Sequence, residues 1–172
     1  MEKGHEMSEH VARSVAMRVH MREVAVASHY SMGFASDLRT LASMNAAAAE
    51  EAFLARRSEL VAAYGLPAEQ QRKPFAFSNG VAVIPVHGTL INRFGYSWGS
   101  VTGYNFIRQQ TAMAGADPEV KAIVYDVNSY GGEAAGCFEC SNDIKGLAGG
   151  KPTYAFVDSN AYSGGYAIAA GT

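Results

Sequence analysis

From residue 81 onward, apolar runs typical of buried strands alternate with segments typical of helices. Three runs rich in apolar residues predict strands: residues 81–86, 120–127 and 152–157. The first run is nearly continuous, as in a strand that is buried on both faces. Two segments with an apolar face predict helices, residues 104–114 and residues 133–147, the second interrupted near Gly136. An alanine-rich stretch after residue 163 predicts a third helix. This β-α-β-α-β-α order predicts an α/β fold, a parallel sheet with right-handed crossovers and flanking helices. Because Pro85 lacks an N–H, the first strand is expected to lie at a sheet edge or to become irregular there.

The chain before this alternation has a helical pattern. Residues 36–64 are rich in helix formers, and Gly65 followed by Pro67 is expected to end that helix. An apolar stripe near the start predicts a further helix: Val11, Val15 and Val19. We therefore divide the chain into an α-helical N-terminal extension with its linker, residues 1–74, and an α/β domain, residues 75–172. The extension is expected either to bind a partner or to pack on its own domain.

Composition narrows the possible classes of function. Apolar residues make up 48% of the chain and charged residues 17%, which is typical of a globular protein. The net charge of −2 argues against a nucleic-acid-binding surface. No apolar run is long enough to span a bilayer, and the first ten residues lack the basic character of a secretory signal. We therefore expect a soluble, cytoplasmic protein.

No metal site is predicted. Four of the five histidines precede residue 30, at spacings that do not put two of them on one helical face. Cys137 and Cys140 form a lone C-x-x-C inside a predicted helix, with no second pair to complete a zinc site, so their expected role is structural. Three aromatic residues lie on a glycine-rich loop, where they could form a substrate wall or fold back onto the core: Phe94, Tyr96 and Trp98.

Two glycine-bearing loops follow the second and third predicted strands. One contains Gly131 and Gly132, and the other contains Ser163 followed by Gly164. Because the carboxyl ends of neighbouring parallel strands meet at one edge of a sheet, the two loops are expected to lie side by side. A serine before a helix is close to free backbone N–H groups, which stabilise an oxyanion. Ser163 is therefore predicted to be the nucleophile of an acyl transfer, with Gly131 or Gly132 and Gly164 as N–H donors; the alternative is an ordinary helix cap.

A serine hydroxyl needs a general base, and the chain offers no convincing one. His87 follows the first strand and could reach the same edge, but no local pattern pairs it with Ser163. Asp126 and Asp158 can both be structural. The lysines between residues 81 and 172 precede strands or flank a helix, away from this edge: Lys121, Lys145 and Lys151.

Three motifs, in this order, resemble the SppA family of signal peptide peptidases, and most of all its soluble phage and prophage members of the capsid-maturation protease C type: residues 81–90, 126–132 and 161–169. The resemblance covers about residues 75–172. It implies a ClpP/crotonase-like fold and a Ser–Lys dyad in which Ser163 is the nucleophile. It also implies an oxyanion hole formed by three glycines: Gly131, Gly132 and Gly164. Tyr130 departs from the proline that the family usually has in that loop.

The resemblance further implies a serine endopeptidase that needs no cofactor. A polypeptide substrate, a homo-oligomer, and a capsid or scaffold protein as partner are expected, in the host cytoplasm or the procapsid. Family members continue well past the serine helix and carry the lysine there, so this chain is expected to be truncated before its dyad lysine. Two alternatives stay open: an acyl-CoA enzyme of the crotonase type, without a serine nucleophile, and an inactive remnant that acts only in assembly.

Overall fold

The computed structural model describes residues 46–65 and 73–172, together with helical backbone at positions 35, 36, 39, 40 and 43. The helix predicted from the valine stripe, the four N-terminal histidines and the first residues of the predicted linker, 69–72, lie outside these residues. Within them, the helix predicted over residues 36–64 is present as α1, Ala46–Ala63. Its end agrees with the prediction, because Gly65 follows in a left-handed conformation at φ +62°.

The α/β domain consists of six strands and three helices. The strands are β1 Ala76–Ser78, β2 Val81–Ile91, β3 Ser97–Trp98, β4 Val101–Gly103, β5 Ala122–Gly132 and β6 Thr153–Ala161. The helices are α2 Tyr104–Ala116, α3 Cys137–Leu147 and α4 Gly164–Ala170. The predicted alternation from residue 81 is therefore present, with three short strands that the apolar pattern did not indicate.

All six strands form one mixed sheet in the order β3-β4-β2-β5-β6, with β1 added beside β2. The pairs β2–β5 and β5–β6 are parallel, as predicted, and β4, which was not predicted, also pairs with β2 in parallel. The pairs β1–β2 and β3–β4 are antiparallel, so the expectation of a purely parallel sheet was wrong in this respect. Both antiparallel pairs join segments that follow each other closely in sequence, which short turns allow.

The three long strands continue beyond their apolar runs into the residues predicted as loops. The polar ends of β5 and β6 pair with each other, as Ser129 does with Ala161, after a shift in register. β2 likewise continues past Pro85 and lies inside the sheet. At Pro85 itself β2 pairs only with β5, because β1 reaches residue 83 and β4 begins opposite Thr89. The missing N–H of Pro85 is thus tolerated because β2 has no strand on its other side at this residue, although it lies inside the sheet.

The hydrophobic core lies between one face of the sheet and helices α2, α3 and α4. It includes alternate residues of β2 and β5 and one side of each helix: Ile84, Val86, Ile123, Tyr125, Val127, Ile107, Ile144 and Ile168. Phe94 of the aromatic loop is buried, whereas Tyr96 is 42% exposed. In the part of the chain that the structure describes, no helix is both long and apolar enough to cross a bilayer.

The C-terminal end of α1 contacts the α/β domain. Val61 is buried, and the hydroxyl of Tyr64 donates a hydrogen bond to Oδ2 of Asp126. Asp126 alternates with the core residues Tyr125 and Val127, so this contact lies on the sheet face opposite the core. Of the two alternatives for the extension, packing on its own domain therefore holds for this end of the helix.

Candidate active site

Ser163 lies on a sharp turn between β6 and α4. Its backbone has φ +49° and ψ −119°, a combination that an L-residue rarely adopts and that costs free energy on the order of 1–3 kcal/mol. The side chain is exposed and makes no capping hydrogen bond to the helix. The ordinary helix cap is therefore excluded. A strained strand-to-helix turn that projects a serine hydroxyl is the arrangement used by nucleophilic serines on other α/β folds.

Gly131 lies directly against Ser163. A Cβ built on residue 131 would lie 2.6 Å from Cβ of Ser163 and 2.9 Å from its Oγ. Gly131 has φ +98°, which also favours glycine. The two glycine-bearing loops are therefore neighbours at the carboxyl edge of the sheet, as their positions after consecutive parallel strands predicted.

The loop around Gly131 is held by the buried side chain of Ser129. Its hydroxyl donates to the carbonyl of Gly88 at 2.6 Å and accepts from the N–H of Gly131 at 3.0 Å. The N–H of Gly131 is thus already hydrogen-bonded. Of the two N–H donors predicted in this loop, Gly132 is therefore the better candidate for the oxyanion hole. Sequence reasoning did not single out Ser129, because a serine within a strand has no distinctive pattern.

Gly132 and Gly164 both lie in close packing. A Cβ on Gly132 would lie 1.9 Å from the carbonyl oxygen of Leu90, and one on Gly164 would lie 2.7 Å from the hydroxyl of Tyr104. At both glycines the backbone therefore approaches its neighbours more closely than a residue with a side chain would allow. Within residues 73–172, no acceptor is hydrogen-bonded to the N–H of Gly164, so this N–H remains available as a donor.

Tyr104 is a buried residue of this site that the sequence did not reveal. Its hydroxyl donates to the carbonyl of Glu133 at 2.8 Å, directly after the Gly131–Gly132 pair. Burial is the main cause that raises the pKa of Tyr104 well above its ordinary value, and a hydrogen bond with Cys137 adds to it. The phenol is therefore neutral and a hydrogen-bond donor. At the sequence level Tyr104 is only the first residue of a predicted helix.

An aromatic pair bridges the two loops beside the nucleophile. The rings of Tyr130 and Tyr162 are stacked, with centroids 5.4 Å apart and planes 11° apart. These residues immediately precede Gly131 and Ser163. The side chain of Tyr130 thus connects one loop to the other.

The structure brings no general base to Ser163 among the described residues. His87 Nε2 lies 2.9 Å from Oδ2 of Asp126, on the sheet face that also carries the Tyr64 contact. Burial acts to raise the pKa of Asp126, but hydrogen bonds from His87 and Tyr64 outweigh it and hold that pKa below its ordinary value. Lys73 is bonded to Asp117 and Glu119, and Lys151 to the carbonyls of Ala114 and Asp117.

Cys137 and Cys140 are buried free thiols. The helix that carries them begins at Cys137, so the prediction that the motif lies inside a helix was wrong. The interruption predicted near Gly136 is present, because this residue has a left-handed conformation at φ +85° and the helix begins after it. Among the described residues, no cluster of three or more histidine, cysteine, aspartate or glutamate side chains could hold a metal ion.

This fold and this turn define an α/β protein with a serine-centred candidate site, and two curated phage proteins are similar to it. The head-tail preconnector protein GP5 of Enterobacteria phage P21 is 39% identical over 93 residues, which are 53% of this chain and 19% of that protein. The capsid assembly protease C of Escherichia phage lambda is 34% identical over 102 residues, which are 58% of this chain and 23% of that protein.

The matches thus span about a fifth of the length of either relative. No protein-family model matches the chain. The two relatives support the predicted resemblance to the phage capsid-assembly protease family. The wider resemblance to SppA, the ClpP/crotonase-like fold and the truncation stay predictions.

Proposed function

We propose that this chain carries the nucleophile of a serine endopeptidase of the phage capsid-assembly type. The observation that carries the proposal is the turn at Ser163. It combines a strained backbone, an exposed hydroxyl without a capping role, and direct contact with Gly131. Strain of this kind persists only where the surrounding structure maintains it, and it is concentrated at functional sites. The similarity to a protein named capsid assembly protease supports the same reading.

The proposed oxyanion hole consists of the N–H groups of Gly132 and Gly164. The N–H of Glu133 donates to the carbonyl of Leu90 at 2.8 Å and so faces β2. Because consecutive N–H groups of an extended strand point to opposite sides, the N–H of Gly132 faces the side of β6 and the nucleophile turn. Gly164 follows Ser163 directly. Two donors converging on one carbonyl oxygen would stabilise the charge that develops there.

In the proposed reaction, Oγ of Ser163 attacks the carbonyl carbon of a peptide bond while its proton passes to a neutral lysine. The lysine returns that proton to the leaving amine as the C–N bond breaks, and an acyl ester remains on Ser163. Water then hydrolyses the ester and restores the hydroxyl. We propose that this lysine lies outside the described residues, as the Ser–Lys dyad of the resembling family implies. Burial would keep it neutral at working pH.

The proposed substrate is a polypeptide of the capsid, such as a scaffold or portal protein. The proposed assembly is a homo-oligomer in the host cytoplasm or the procapsid. These assignments rest on the names of the two relatives and on the family resemblance.

The test is covalent labelling of the full-length protein with a fluorophosphonate probe, which reacts with activated serines. Labelling is expected on wild type and to be lost in Ser163→Ala. The matched control is Ser159→Ala, which removes another exposed serine hydroxyl four residues upstream and should leave labelling unchanged. Absence of labelling on the folded wild-type protein would overturn the acyl-enzyme proposal. A Ser163→Ala variant that keeps full activity would favour an acyl-CoA enzyme of the crotonase type.

A further inference from the structure

Tyr104 lies beside both halves of the proposed oxyanion hole. Its side chain is only 1% exposed, and its hydroxyl donates to the carbonyl of Glu133 at 2.8 Å. Glu133 follows Gly132, and its own N–H is bonded to Leu90. Both polar backbone groups of Glu133 are therefore bonded, which fixes the residue that follows Gly132 in the chain.

The same hydroxyl lies against the other half. It would be only 2.7 Å from a Cβ on Gly164, the residue after Ser163. The space that a side chain at residue 164 would need is occupied by this oxygen and, slightly farther away at 3.5 Å, by Sγ of Cys137. The nucleophile turn thus rests on the phenol, and the turn cannot approach the Glu133 loop more closely than the phenol allows.

We propose that Tyr104 is a positioning residue, whose hydroxyl sets the spacing between the Gly132 and Gly164 N–H groups for the acyl transfer. This inference rests on the proposed function. Tyr104 is the first residue of α2, and its ring belongs to the hydrophobic core, so the rigid part of the domain determines where the hydroxyl lies. Donors that are held in place before reaction stabilise the oxyanion without reorganising during the step.

A second buried tyrosine provides an internal control. Tyr125 is fully buried in the same core, and its hydroxyl forms a 2.8 Å hydrogen bond with Oγ1 of Thr111. The two tyrosines therefore lose the same kind of interaction when each is changed to phenylalanine. Only the bond of Tyr104 leads to a loop of the proposed site.

The experiment compares Tyr104→Phe and Tyr125→Phe in the full-length protein by the kinetics of fluorophosphonate labelling. Both variants are expected to have a lowered melting temperature, since each loses the hydrogen bonding of a buried hydroxyl. Tyr104→Phe is expected to lower the maximal rate of labelling by about 10- to 100-fold, the effect of a displacement near 1 Å at a reacting centre. The half-saturating probe concentration should change little. Equal maximal rates in the two variants would overturn the proposal.

A second variant keeps the proposal testable if Tyr104→Phe does not fold. Gly164→Ala places a Cβ against the phenolic oxygen, whereas Gly146→Ala adds a Cβ with nothing within 4 Å. Gly164→Ala should reduce the maximal labelling rate, and Gly146→Ala should not. In the double variant Tyr104→Phe/Gly164→Ala, removal of the hydroxyl should recover part of the loss. Equal labelling rates for Gly164→Ala and Gly146→Ala would also overturn the proposal. A wild-type protein that is not labelled would instead refute the proposed peptidase function.

Discussion

The substitution Gly131→Ala tests the contact on which the proposed site depends. The new methyl group would lie 2.6 Å from Cβ of Ser163, 2.9 Å from its Oγ and 2.9 Å from the backbone nitrogen of Gly164. Each of these separations is well inside van der Waals contact. Either the Gly131 loop or the nucleophile turn must move, and both belong to the proposed oxyanion hole.

Two contributions determine the size of the effect. The φ of +98° is unfavourable for alanine and costs on the order of 1–2 kcal/mol. In a domain of about 100 residues, each kcal/mol lowers the melting temperature by roughly 4–8 °C. The displacement of Ser163 affects the reaction more than the stability, because a shift of about 1 Å at a reacting atom lowers its rate on the order of 100-fold.

The assay combines thermal melting with the rate of fluorophosphonate labelling. Gly150→Ala is the matched control, since Gly150 has φ +78° and a Cβ there would meet nothing within 4 Å. Both variants should lose stability, because alanine is unfavourable at the positive φ of either position. Only Gly131→Ala should lose labelling, by about 100-fold or more. If Gly131→Ala is folded and labels at the rate of Gly150→Ala, the close approach to Ser163 has no role in the reaction.

Three further predictions follow from the same contacts. Ser163→Gly should abolish labelling and still melt higher than Ser163→Ala, because glycine tolerates φ +49° and the difference is expected at about 1 kcal/mol; equal melting temperatures would contradict strain at the turn. Ser129→Ala leaves the N–H of Gly131 without its acceptor, so it should cost roughly 1–3 kcal/mol by chemical denaturation and slow labelling; unchanged stability would argue against that bond. The folded-state pKa of Asp126 lies below the ordinary value, so its contribution to stability is complete above about pH 4 and is lost as pH falls through the folded value. Between pH 6 and pH 3, the melting temperature should therefore fall more steeply with decreasing pH for wild type than for Asp126→Asn. An equal fall in the two proteins would refute this contribution.

The apolar runs of the sequence were sufficient to predict the α/β class and the three parallel strands. Valine, isoleucine and aromatic residues favour strands, and a run of them is a local pattern. They did not predict where β5 and β6 end, because the polar end of β5 is held in the sheet by pairing with β2, and Ser129 also pairs with Ala161 at the end of β6. Nor did they predict β1, β3 and β4, which have three residues or fewer and are stabilised by their neighbours.

For the candidate site, the sequence by itself predicted a candidate nucleophile and its companion loop. The order of the strands brings Ser163 and Gly131 to one edge, and glycines at such an edge indicate close approach of backbone. Only the tertiary structure showed that Ser163 is strained and does not cap its helix. Only the tertiary structure showed that Ser129 already binds the Gly131 N–H, that His87 is paired with Asp126, and that Tyr104 lies beneath the turn. His87 and Asp126 are 39 residues apart in sequence, and Tyr104 and Gly164 are still farther apart. Such pairs meet only when the strands pair and the helices pack on the sheet, and no local pattern of residues encodes which of them meet.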